Sequence, residues 1–216
     1  MISAAAFKKQ ISKTLSVHLR NLGFKGSGFH YTMDSPLFIF TIGVQASQWG
    51  GECCAEVGIQ PRYVDSNGIP TIDVKKIKYY QCEFRTRLVA GDGIDQWWKY
   101  SDDEAENIQI AQQLFDIVVK RVVPIIELFS SEKFVRDQIE VGDLGNIAKN
   151  VNDNLYGLSF MANDVRLAWT FTKIYEQRNL EKAKQFAKFG LSKLDKKNPY
   201  AKEDFERVLQ LTGSLT

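Results

Sequence analysis

Residues 37–62 read LFIFTIGVQASQWGGECCAEVGIQPR, two apolar runs on either side of a Trp49-Gly50-Gly51 turn, and their reading decides the fold. In the second run Cys53, Ala55, Val57 and Ile59 alternate with Cys54, Glu56, Gly58 and Gln60. A period of two places the first set on a buried face and the second outward, as in a strand. The first run, Leu37 to Gln45, is apolar on both faces at its start, which predicts a central strand covered by helices. Two strands joined by a glycine turn fix an antiparallel sheet.

On the N-terminal side, Gly26 and Gly28 bracket the entry to a strand in which Phe29, Tyr31 and Met33 alternate with His30 and Thr32. Asp34-Ser35-Pro36 closes that strand with a turn. On the C-terminal side, Pro61 to Lys76 contains Asn67-Gly68 and Pro70, the punctuation of a long loop or a loose hairpin. A fourth strand is expected over Ile77 to Leu88, with Tyr80, Cys82, Phe84, Thr86 and Leu88 on one face and Tyr79, Gln81, Glu83, Arg85 and Arg87 on the other.

Helices flank the sheet. From Ser3 to Leu22, the residues Ala4, Phe7, Ile11, Leu15 and Leu22 form one helical stripe, and Gly23 ends it. Ser101 to Val123 reads as a helix with Ser101 as N-cap, Asp102, Asp103 and Glu104 at its positive end, and Ile108, Ala111, Leu114, Phe115, Val118 and Val122 as its apolar stripe. Pro124 kinks or stops it. Beyond Ser130, Val141 to Asn154 is the linker candidate, and helices are expected over Asn163 to Gln177 and Leu180 to Leu194, a hairpin capping the core. Trp169, Tyr175, Ala183, Phe186 and Pro199 resemble part of a tetratricopeptide hairpin, but the spacing is off and a second copy is missing. The expected class is α+β: a mainly antiparallel sheet of about four or more strands, packed by an N-terminal helix and a long helix after the sheet. Residues 1–129 would form the α+β domain and residues 130–216 a helical extension.

Composition narrows the function classes. The 216 residues, 44% hydrophobic and 25% charged, match an ordinary soluble globular protein. With a net charge of +2 and a pI of 8.3, and with the two signs interspersed, nucleic acid is not the expected partner. No apolar run approaches a membrane span, and MISAAAFKKQ lacks a signal-peptide core, so the expected location is the cytoplasm. Cys53, Cys54 and Cys82 cannot make a disulfide framework and read as reduced structural thiols.

Candidate chemistry is sparse. His18 shares the first helix's apolar stripe and reads as a packing histidine; His30 lies on the more polar side of its strand. Neither has a visible nucleophile partner. Metal-ligand spacing is missing, and Gly91-Asp92-Gly93 lacks the pattern of a phosphate loop, so neither metal nor cofactor is expected. The better candidate is a surface. If the strands are neighbours, Gln45, Gln60, Arg62, Arg85 and Arg87 converge with Trp49 at one rim, a set suited to a carboxylate, a phosphate or an acidic protein surface. Against this, outward arginines on a sheet commonly pair with carboxylates, here Glu52, Glu56 or Glu83. Of Trp97 and Trp98, neighbours in an extended segment, one is expected to bury and the other to face outward.

Phe24-Lys25, Gly28, Phe29, the Ile39-to-Gln45 strand, Trp49, Val57-Gly58-Ile59, Cys82 to Leu88 and Trp97-Trp98 together resemble the bacterial domain-of-unknown-function family DUF4304, over roughly residues 7–129. The resemblance implies a small α+β domain without established chemistry. Some such domains look like immunity proteins, which bind a partner toxin. Two readings follow: a non-catalytic protein-binding module, immunity-like, using the outward sheet rim, or a small-molecule binder or enzyme acting on an anionic ligand, with Arg85 or Arg87 as clamp and His30 or Glu56 as acid or base.

Overall fold

The computed structural model describes residues 2–64, 73–91, 95–131, 133, 135, 139–144, 164–195 and 201–212. Asn67-Gly68, Pro70, Asp92-Gly93, most of the expected linker and Pro199 lie outside them.

Helix α1 (Ala4–Asn21) starts where Ser3 caps it, its side chain accepting from the Ala6 amide at 3.2 Å. Its buried stripe is Phe7, Ile11, Leu15, Ser16 and Leu19. Four strands follow, β1 (Lys25–Ser27), β2 (His30–Asp34), β3 (Phe38–Ala46) and β4 (Glu52–Pro61), then β5 (Phe84–Arg87) and β6 (Trp98–Lys99). The sheet has the order β1-β2-β3-β4-β5, with β6 also paired to β4, and all pairs are antiparallel. The chain is thus α+β, with more strands than the sequence announces: β1 and β6 are too short to show periodicity.

The inner face is the one expected. Phe38, Phe40, Ile42 and Val44 of β3 and Cys53, Ala55, Val57 and Ile59 of β4 join one core with α1 and the helices that follow the sheet. Phe38 meets the Phe129 ring edge-on at 5.2 Å, and Phe7 stacks on Tyr100 at 4.3 Å. Each such aromatic, fully removed from water, contributes about 1.5–3 kcal/mol.

Helix α2 (Glu104–Ile117) corrects two expectations. Its N-cap is Asp103, which accepts from the Ala105 amide at 2.7 Å, while Ser101 donates to Glu106. Its stripe runs through Ile110, Ala111, Leu114 and Ile117, and Ile108 is exposed. A π-turn, Val118–Val122, then leads into α3 (Val123–Ser130) with Pro124 in its first turn, where the missing N–H costs nothing.

Among the described residues, helices α4 (Asp164–Glu176), α5 (Leu180–Lys193) and α6 (Lys202–Gln210) complete the C-terminal part. The first two sit where expected; α6 is new. Gly190 admits α6, because a Cβ there would overlap the Phe205 ring, and Arg207 grips both oxygens of Glu176 at 2.5 and 2.7 Å. The helices reach the sheet through Arg166, which donates to the Glu83 carboxylate at 2.6 Å and to its carbonyl at 2.7 Å, and through Arg178, which lies over the Tyr63 ring. Leu167, Phe171, Phe186 and Phe205 belong to the same core as the inner sheet face.

The fourth strand is the main correction. It begins at Phe84, and Tyr79–Gln81 is a 3-10 turn lying against the outer sheet face. A Cβ at Gly43 would overlap the Tyr79 ring, and one at Gly58 would stand 2.8 Å from both Tyr79 Cα and Cys82 Sγ. The two glycines open a trough in adjacent strands, and the segment before β5 fills it. Ile39, Ile77 and Cys82 form a small second core there. Cys54, Gly58 and Gln60 therefore point away from the helices, as expected, and are nevertheless buried.

Candidate functional site

The outer face is assembled by register. Gln45 lies opposite Cys54, Gly43 opposite Glu56, Glu56 opposite Arg87 and Gly58 opposite Arg85, so these residues form neighbouring rows on one side of the sheet. Trp98 pairs with Cys53 and buries on the inner face; alternation carries Trp97 to the outer one, where it is 36% exposed. The split expected of the tryptophan pair is the one observed.

Arg87, Asp95 and Trp97 close a triangle. Arg87 Nη1 donates to Asp95 Oδ1 at 2.7 Å, Trp97 Nε1 donates to Asp95 Oδ2 at 3.1 Å, and the guanidinium lies over the Trp97 ring at 4.8 Å from its centroid. Glu56 approaches Arg87 Nε at 3.6 Å. Burial raises the Glu56 carboxyl, and the charges of Arg87 and Arg85 oppose that rise. Tyr79 donates to Gln45 Oε1 at 3.3 Å, completing a polar row from the turn to β3. Each arm holds another, so the indole is presented as a fixed plate.

Trp49 stands on the turn joining β3 to β4, at the end of β4 where β6 pairs. The turn is tight: Ser47 N donates to Glu52 O at 2.8 Å, Gly50 N to Ser47 O at 3.0 Å and Trp49 N to Ser47 Oγ at 3.2 Å. Gly50 and Gly51 have φ of +77° and +75°, a conformation side chains resist. The indole is 87% exposed.

The six residues singled out in the sequence do not converge. Gln45, Trp49 and Arg87 share one end of the sheet, and exposed Arg85 sits midway along it. Gln60 and Arg62 are at the other end, six and eight residues from Cys54, roughly 20 Å or more along the strand. Gln60 is fully buried. Its amide donates to Pro61 O at 3.0 Å and Val64 O at 2.7 Å and accepts from the Glu83 amide at 2.8 Å. Arg62 donates to Ser35 O at 2.8 Å and pairs with Asp34, beside an open cleft of about 520 Å³ lined by Asp34, Ser35, Pro36 and Arg62. The pairing expected of outward arginines occurs for Arg87 with Glu56, whereas Glu83 is taken by Arg166.

Sequence reading missed Asp95, Tyr80 and the lysines before β5. Tyr80 is 53% exposed, and Lys75, Lys76 and Lys99 are exposed. The run Lys75-Lys76-Ile77-Lys78-Tyr79-Tyr80 was the available signal: alternation fails in it, and cations cluster with aromatics.

The remaining titratable groups are set for structure. Burial pushes the thiols of Cys53, Cys54 and Cys82 up to about 12, 11 and 12, which keeps them protonated and poorly nucleophilic. His18 stacks on Phe115 at 4.5 Å. Burial and then the Lys78 charge lower His30 to about 4, against a smaller opposing effect of the Ile77 backbone. Among the described residues there is neither a group of three or more His, Cys, Asp or Glu that could hold a metal ion nor a helix long and apolar enough to cross a membrane.

The family profile described as "Domain of unknown function (DUF4304)" matches residues 15–128, more than half of the chain. No curated protein and no solved structure matches.

Proposed function

Because the chain belongs to the DUF4304 family, whose description assigns no chemistry, we propose from its geometry a non-catalytic module that docks an acidic protein partner on the outer sheet face and the Trp49 turn. The observation that carries this reading is Trp49 itself. An indole 87% exposed on a turn held by three hydrogen bonds offers a partner a large apolar anchor at little ordering cost. Lys99 pairs opposite Glu52 at the foot of that turn, and the Trp97 plate and exposed Arg85 share the outer face with it, the residue types in which interfaces are rich or which select acidic surfaces.

The enzyme or anionic-ligand reading draws less support. Of its two clamp candidates, Arg87 is engaged by Glu56 and Asp95 and only Arg85 is without an ion pair among the described residues; Arg62 is engaged by Asp34, and the three thiols are protonated. An immunity-like role, with a toxin as the partner, is the form of protein binding that the family resemblance raises, and it requires a stoichiometric complex.

Affinity capture from lysate of the encoding organism tests the reading. The native chain retains one protein in equimolar amount, and Trp49→Ala loses it while keeping stability within about 0.5 kcal/mol. Identical capture profiles for native and Trp49→Ala chains would refute it.

A further inference from the structure

Backbone register shows which hydrogen-bonding groups the sheet leaves open. Leu88 N donates to Ala55 O at 2.9 Å. Leu88 and Ala55 therefore continue the β4–β5 register as a hydrogen-bonded pair, and alternation makes Val57 with Thr86 and Ile59 with Phe84 hydrogen-bonded pairs too. Gly58 with Arg85 and Glu56 with Arg87 are the intervening pairs, so the N–H and C=O groups of Arg85 and Arg87 point away from β4. The β3 side of β4 agrees: Ser47 N donates to Glu52 O and Arg62 N to Leu37 O, which directs the backbone of the even-numbered residues of β4 toward β3. The Glu83 carbonyl, two residues before Arg85, accepts from Arg166. Among the described residues no strand pairs with the far side of β5, and the outward groups of Arg85 and Arg87 have no hydrogen-bond partner there.

We propose that the partner engages this edge by strand addition: an extended acidic segment pairs with β5 through the backbone of Arg85 and Arg87, its acidic side chains lying on the outer face. The occupant follows from charge. Arg85 is exposed, without an ion pair among the described residues, and its side chain lies on the same face as Arg87, Trp97 and Lys99. Backbone bonds supply affinity in such pairing, and alternate side chains supply selection. Short strands and basic side chains also guard an edge against indiscriminate pairing. The same feature admits a segment whose carboxylates meet Arg85 and excludes neutral or basic strands. The inference rests on the docking reading above and fixes the partner's local conformation.

The test uses the full chain, nitrogen-15 labelled, with three blocked seven-residue probes: Glu-Val-Glu-Val-Glu-Val-Glu, the same peptide N-methylated at alternate amides, and its Lys-Val counterpart. Strand addition predicts that the first probe slows exchange of the Arg85 and Arg87 amides, that N-methylation weakens binding at least roughly tenfold, and that the Lys-Val peptide does not bind. Equal binding of the methylated and unmethylated acidic peptides, reported by Trp97 fluorescence, would overturn strand addition while leaving the docking surface standing. Slow exchange of the Arg85 and Arg87 amides in the free protein, or no binding by any probe, would also overturn it. The capture comparison with Trp49→Ala does not depend on the edge and so separates failure of this inference from failure of the docking reading.

Discussion

The ring of Tyr79 occupies the space that a side chain at Gly43 would fill: a Cβ there would overlap ring carbons Cδ1 and Cε1 and stand 2.9 Å from Cγ. This contact turns an open sheet face into a covered one, with Tyr80 packed edge-on against the Tyr79 ring. Gly43→Ala should therefore destabilise the fold by about 1–3 kcal/mol. In a Tyr79→Ala background the same change should cost far less. A double-mutant cycle in urea measures the coupling; equal costs in both backgrounds would show that the ring is not what the glycine accommodates.

Gln60 separates structure from binding. Gln60→Ala strands the Glu83 amide and the Val64 carbonyl in a buried site, which should cost about 2–4 kcal/mol. Chemical denaturation checks this. A variant as stable as the native chain would mean that those groups find other partners.

His30 gives the fold a pH dependence whose sign is fixed. Its folded value, about 4, lies below the ordinary 6.5, so between those values the unfolded chain binds more protons. Stability contributed by neutral His30 is complete above 6.5, falls as the pH drops from 6.5 to 4, and falls no further below 4. Denaturation midpoints from pH 7 to 4 should decline more steeply for the native chain than for His30→Gln. Parallel profiles would remove His30 as the cause.

The inner face, the first helix, and α4 and α5 were legible in the sequence because each follows a single period against a single core: Cys53, Ala55, Val57 and Ile59 alternate, and Phe7, Ile11 and Leu15 keep helical spacing. The outer face was not. Covering Cys54, Gly58 and Gln60 depends on Gly43 and Gly58 meeting across two strands and on Tyr79 returning from the segment before β5, a tertiary fit that leaves no local period. The same segment hid the start of β5, since Tyr80 and Cys82 continue the alternation of Phe84, Thr86 and Leu88 without joining the strand. Of the candidate rim, Gln45 and Arg87 could be read from alternation once the strands were neighbours. Gln60 and Arg62 could have been excluded on length: pairing through the turn puts Gln45 opposite Cys54, which leaves them at the far end of β4.

Docking on the outer face can be decided by photocrosslinking, with a benzophenone side chain placed in turn at Trp49, at Arg85 and, as a control on the exposed first turn of α6, at Glu203. A surface formed by the turn and β5 predicts one and the same protein crosslinked from Trp49 and from Arg85, and not from Glu203. No crosslinked protein from Trp49 or Arg85, or the same product from all three positions, would contradict it.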